Sequence, residues 1–235
     1  MKSPIVVGGL KGSGKTAFIC ALLKLIQEKG GDSAAIKPFD KGLMKRYSQE
    51  IPSDGERFCQ YMKGEPMETL VSPYCANEDY PLEMSLRRDG IRIDWKLIQE
   101  RLAILDDLHE KTLLELPSSV LAPITESKSV IDWLCELNAE VIWLIDPIQD
   151  QFYRNLFEIK LIKDSQLELS LVFNNVSGSR DQDFLFYCWE KIEAFASQQA
   201  LGMIPYVGSS DDPVDRMAEK MQDAISPLLE RIIKG

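Results

Sequence analysis

Apolar residues recur along this chain in two alternating rhythms. Short stretches at 5–7, 33–36, 111–115, 141–145, 169–173 and 201–204 are mostly apolar and have the length of buried strands. Between them the spacing turns helical. Over residues 16–28, Phe18, Ile19, Leu22, Leu23 and Ile26 fall on one face, and Gly30-Gly31 stops the helix. Ser53, with Glu56 three residues later, has the form of a capping box and puts Asp54 in the first turn of a helix to about Lys63. Asp94 is a good N-cap for a helix over 95–109. Further helices are expected over 127–137, 152–163, 181–198 and 213–233. Residues 64–89, rich in Pro, Asn, Asp and Glu, read as a long excursion with one short helix. Apolar strands alternating with helices predict a parallel sheet covered on both faces, and 235 residues suit one such α/β domain. Ligands of such sheets bind beyond the carboxyl ends of the strands. Lys37, Glu115, Asp146, Asn175 and Pro205 follow strands and become the positions of interest.

The first strand carries the sharpest chemical signal. It runs into Gly9-Leu10-Lys11-Gly12-Ser13-Gly14-Lys15-Thr16, a G-x-x-x-x-G-K-T run set between a strand and a helix. Glycines let successive N–H groups turn inward as an anion nest, and the following helix adds its free N–H groups and positive dipole end. Lys15 can reach β- and γ-phosphates, and the Thr16 hydroxyl can meet Mg²⁺. The expected architecture is therefore of P-loop NTPase type, with a nucleoside triphosphate such as ATP as ligand.

Composition narrows the partners. A formal charge of −10 argues against a nucleic-acid surface, which needs clustered Lys and Arg. No apolar run is long enough for a bilayer, and Met1-Lys2-Ser3-Pro4 is too short for a signal peptide, so a cytoplasmic location is expected. The five cysteines form no C-x-x-C pair and are expected to be reduced. His109 is the only histidine, which excludes a His-based metal site; it reads as a helix-end cation.

The later motifs form an ordered set. Lys37-Pro38 follows the second strand, Ser53-Asp54 opens a helix, and Pro81-Leu82 leads to Gly90 through Asp94. Glu115 ends a strand, and Asn174-Asn175 and Gly202-Met203-Ile204-Pro205 come after it. In this order and at these intervals the chain resembles the ATP-dependent dethiobiotin synthetases over nearly its whole length. The resemblance implies a reaction of 7,8-diaminononanoate, CO₂ and ATP, in which one amine becomes a carbamate, the carbamate is phosphorylated, and the second amine closes a cyclic urea. It implies that Lys15 and Lys37 stabilise the developing charge. Gly12, Ser13, Gly14, Lys15, Thr16 and Ala17 would hold the nucleotide phosphates, with Asn175 and Pro205 lining the adenine pocket. Thr16, Asp54 and Glu115 would be the Mg²⁺ ligands, and Lys37, Lys41 and Ser118 would meet the substrate. A homodimer is implied, because a second subunit completes the substrate site in that family.

The chain departs from the family on the substrate side. Leu10-Lys11 stands where the family has an acid in a T-D-T run, and Lys41 precedes Gly42 where a small hydroxyl residue is common. Leu116-Pro117-Ser118-Ser119 replaces a G-A-G-G whose amides approach the substrate; Pro117 removes a donor, and the side chains narrow the approach. A related ligase acting on another amine or carboxylate, or a nucleotide-binding protein without turnover, therefore stands beside the synthetase.

Overall fold

The structure is a computed structural model and describes residues 4–46, 49–64, 66–76, 80–117, 119–208 and 213–234. In chain order, β1 (Ile5–Gly9) is followed by α1 (Lys15–Glu28), β2 (Ser33–Ile36), β3 (Phe39–Lys41), β4 (Leu43–Arg46), β5 (Gln49–Pro52) and α2 (Ser53–Tyr61). Next come α3 (Glu68–Val71), β6 (Tyr74–Ala76), α4 (Leu82–Arg88), α5 (Trp95–Leu108) and β7 (Lys111–Glu115). The chain continues through α6 (Val130–Leu137), β8 (Glu140–Ile145), α7 (Gln149–Asp164), β9 (Glu168–Asn174) and α8 (Gln182–Ala196). It closes with β10 (Met203–Ile204), α9 (Pro213–Ala224) and α10 (Ser226–Lys234).

The sheet is built as the alternation predicts. Its order is β2-β7-β1-β8-β9-β10, and every pairing is parallel. Strands β1 and β8 are almost wholly buried because helices cover both faces. Trp143 of β8 and Phe18 of α1 are fully enclosed in that core. Gly8 has to be glycine here: a Cβ would lie 2.7 Å from the Trp143 ring.

The differences from expectation have local causes. Strand β3 pairs in parallel with β6, and β4 pairs antiparallel with β5, where no strands were expected. The excursion holds two short helices and β6 rather than one helix. The expected box at Ser53 is absent: Pro52 occupies the N-cap without a side-chain bond, and Ser53 is already helical. The cap comes from elsewhere, because the Asp40 carboxylate accepts from the N–H groups of Asp54 and Gly55 at 3.1 and 3.3 Å. A capping box forms instead at Ser129 and Asp132, and α6 starts there rather than at 127. The closing helix breaks at Ile225, because Pro227 has no N–H to continue the ladder. Asp94 caps α5 as expected, with its side chain accepting from Lys96 N, and His109 is the C-cap, paired through Nδ1 with Asp32 at 3.1 Å. All five cysteines are free thiols.

Candidate functional site

Strand register assembles the site. Glu115 lies opposite Val7, two residues before Gly9, so β7 ends beside the start of the glycine loop. Ile36 lies opposite Leu114, so Lys37, the next residue on the β2 side, comes level with Glu115. Three separated sequence motifs thus reach one edge of the sheet because the strands run parallel and in step.

The glycine loop is clamped from both sides. Gly14 is the left-handed N-cap of α1, at φ +81°. A Cβ there would lie 2.6 Å from Asn174 Nδ2, which donates to Ser13 O at 2.8 Å. Asn174 of β9 therefore holds the loop at the point where only glycine lets it approach. Lys15 Nζ folds back and donates to Gly9 O at 2.9 Å and Leu10 O at 3.1 Å. Burial lowers its pKa to about 8; Lys37 pushes the same way and Glu115 opposes both. The Lys15 ammonium is thus held less strongly than an ordinary lysine's and begins to lose its proton just above neutral pH.

Lys37 has the opposite surroundings. Its Nζ lies 2.8 Å from Glu115 Oε1 and 3.7 Å from Asp40 Oδ1, and it is closest to Asp54 Oδ2. Burial acts to lower its pKa, but the carboxylates of Glu115, Asp54 and Asp40 outweigh burial and hold it above the ordinary lysine value. Asp40 is fully buried, and burial raises its carboxyl despite the neighbouring lysine and the amides it accepts from. Glu115 is 2% exposed, and its Oε2 is buried with no partner among the described residues. An unpartnered oxygen of a buried carboxylate is costly to leave unsatisfied.

These groups border a cavity of about 850 Å³. Gly12, Gly14, Lys15, Thr16 and Ala17 line one side, with Lys11 beside them; Lys37, Lys41 and Glu115 also line it. Ser13 is buried within the loop, and Asp54 reaches the site through its contact with Lys37. Lys41 donates to the Tyr80 carbonyl. Ser118 lies outside the described residues. Asn175 and Pro205 are not on the cavity wall. Asn175 is buried, and its amide both donates to Ser179 O at 2.9 Å and accepts from Ser179 N at 2.8 Å. Asp146 serves the loop after β9: its carboxylate accepts from Ser177 N and Oγ, and burial raises its pKa.

Sequence reasoning missed Asp40, Arg154 and Glu158. Arg154 lines the cavity, and Glu158 is fully buried behind it. The signal for Glu158 was present: an acid on the same stripe of α7 as Asn155, Ile159 and Ile162, all of which are buried. Asp40 gave only a weak signal, an acid three residues after Lys37 in a short segment.

A glycine loop joining the central strand of a parallel sheet to a helix, closed by a buried lysine, defines a protein of P-loop NTPase fold. Solved structures share that fold. The cell division protein MinD of Aquifex aeolicus superimposes over 99% of this chain and 98% of its own, with a TM-score of 0.57 and 13% identity. The hydrogenase maturation factor HypB of Archaeoglobus fulgidus does so over 94% of this chain and 88% of its own, with a TM-score of 0.52 and 12% identity.

The AAA domain family AAA_26 matches residues 3–214, and the chain belongs to that family, which contains the dethiobiotin synthetases. An ATP-dependent dethiobiotin synthetase BioD from Anaeromyxobacter sp. (strain Fw109-5) is 23% identical over 208 residues, covering 88% of this chain and 91% of the relative. Another, from Akkermansia muciniphila, is 25% identical over 182 residues, covering 77% of this chain and 82% of the relative.

Proposed function

We propose that the chain is an ATP-dependent dethiobiotin synthetase, closing the cyclic urea from 7,8-diaminononanoate and CO₂. The observation that carries this reading is the pairing of two unlike lysines on one cavity. Lys15 sits on the phosphate loop with its charge weakly held; Lys37 sits among carboxylates with its charge strongly held. A triphosphate laid on the loop brings the anion that holds the Lys15 proton in place. Lys37 is then placed beside the carbamate of the acceptor. Its permanent charge steadies the carbamate oxygen as it takes the γ-phosphoryl group and ADP leaves. The second amine then attacks the carbamoyl carbon, the C–O bond to phosphate breaks, and the ring nitrogen gives up its proton. Preorganised charge of this kind usually supplies the largest share of the acceleration.

Magnesium fits the residues present. Among the described residues no group of three or more His, Cys, Asp and Glu forms a metal cage. Thr16, Asp54 and Glu115 offer hard oxygens, and the unpartnered Glu115 Oε2 is an acceptor in search of a cation. That suits an ion that keeps several waters and takes its remaining ligands from phosphates. When bound, it would neutralise phosphate charge. Asn175 and Pro205 would border the adenine from the far side of the loop.

A homodimer belongs to the same proposal. Tyr153 and Phe157, one turn apart on α7, are exposed, as are Phe186 and Tyr187 on α8, which packs beside it. Such aromatic surface is typical of interfaces. A cytoplasmic location is part of the same proposal; no helix among the described residues is long and apolar enough to cross a membrane.

One observation favours a second reading, a ligase on another amine or carboxylate. Leu116 and Pro117 stand on the cavity wall, and Ser119 is tied down by Glu158 at 2.7 Å, so this wall differs from a glycine loop. The test supplies purified protein with ATP, Mg²⁺, bicarbonate and diaminononanoate. Phosphate release that depends on the diamine is expected. Release only with another acceptor supports the second reading, and tight nucleotide binding without turnover on any amine overturns both.

A further inference from the structure

The far wall of the cavity is built around one buried carboxylate. Glu158 of α7 accepts at Oε1 from Ser119 Oγ at 2.7 Å and from Arg154 Nε at 2.9 Å, and at Oε2 from Val120 N at 2.9 Å. The segment after β7 and the guanidinium of Arg154 are therefore fixed by the same group. Gln151, one turn before Arg154, donates to the Lys11 carbonyl at 3.4 Å, so this part of α7 lies against the glycine loop.

Two features of the wall point to a ligand. Arg154 uses only Nε; its two terminal amino groups have no partner among the described residues, and the side chain lines the cavity. A guanidinium held at Nε presents that pair as a fork for one planar anion. Beyond Ser119, whose hydroxyl is spent on Glu158, the wall it shares turns apolar: Leu121, Ala122 and Pro123 line the same cavity. Leu121 is 45% exposed there, a large side chain left without cover. An apolar run ending at a guanidinium complements an aliphatic chain ending in a carboxylate. A phosphoryl group would make no use of the apolar part, and the glycine loop already offers it amides and Lys15.

We infer that Arg154 receives the carboxylate of the acceptor substrate, with Glu158 as the positioning residue that aims it. This rests on the cavity being the acceptor's site, as proposed above, but not on the identity of the amine.

Binding, read without turnover, tests it. Wild-type protein is saturated with Mg²⁺ and a non-hydrolysable ATP analogue, then titrated calorimetrically with nonanoate and with nonanamide, at low millimolar concentration. Nonanoate should bind at least about tenfold more tightly, the difference expected of a charge-assisted bidentate pair. Arg154→Ala should abolish that difference. Should freeing Glu158 impair folding, Arg154→Ala with Glu158→Gln removes both charges and should abolish it equally. Arg154→Lys, charged but without the fork, should retain only part of it. Glu158→Gln alone should raise the KM for the acceptor more than it lowers kcat. Equal binding of the two probes to wild type overturns the inference, as does discrimination that survives in the double variant. A loss of nucleotide affinity in the Arg154 variants also overturns it, by showing that the guanidinium serves the phosphates. Failure of wild type to turn over diaminononanoate bears only on the proposed reaction, since the probes carry no amine.

Discussion

Replacing Lys37 by methionine keeps the aliphatic volume and removes one charge. Lys37 is 13% exposed in its side chain, Glu115 2%, Asp40 0% and Asp54 20%, so water screens none of these groups well. The variant leaves three carboxylates together without their shared cation. Breaking a buried ion pair from one side costs about 3–5 kcal/mol, because the partner charge stays buried. For a chain of this size that corresponds to a fall in Tm of about 6–20 °C. The sign of the pH dependence follows from the same cluster. Without the ammonium nothing opposes the burial that already raises Asp40, so the folded state binds more protons than the unfolded one and the variant loses stability as pH rises. In wild type the raised pKa of Lys37 keeps its contribution present at every pH below the ordinary lysine value. The deficit of the variant should therefore be smallest near pH 5 and largest above pH 7. Thermal denaturation of both proteins without nucleotide, across that range, measures it. A variant within about 3 °C of wild type, with no pH trend, would refute the coupling and with it the assigned role of Lys37.

Two further outcomes follow from the site and its surface. Lys15 has a pKa of about 8 before ligand binds, and phosphate favours its charged form. Affinity for a non-hydrolysable ATP analogue should thus be level below pH 7.5 and fall by about tenfold per unit above pH 8, with proton uptake on binding, as titration calorimetry would record. Level affinity to pH 9.5 would remove Lys15 from the phosphate site. Tyr153→Glu combined with Phe157→Glu should give a monomer with unchanged helical circular dichroism; light scattering that finds wild type and variant of equal mass would discard the proposed dimer face.

Much of the fold was legible because it is written in short-range pattern. Strand β1, the glycine loop and α1 follow from the twenty-four consecutive residues 5–28 and need no distant partner to be recognised. The ends of α2, α6 and the closing pair of helices were not. A cap needs only one acceptor, and at α2 that acceptor is Asp40, fourteen residues before Asp54. The Ser53 pattern was a valid local option that a tertiary contact displaced. The break at Ile225 was readable from Pro227, and the continuous apolar face over 213–233 obscured it.

The sequence by itself determined that a phosphate loop would stand at the carboxyl edge of a parallel sheet. It also determined that Lys37 and Glu115 would stand at strand ends, since each of these facts depends on neighbours a few residues away. Only the tertiary structure decided what those residues meet. Register brought Lys37 level with Glu115. Asn174 reached Ser13 across 161 positions, and Glu158 reached Ser119 across 39. Contacts of that span are fixed by how sheet and helices stack, and burial then gives them their strength: out of water, an unpaired carboxylate is too costly to leave, and its partner can come from anywhere in the chain.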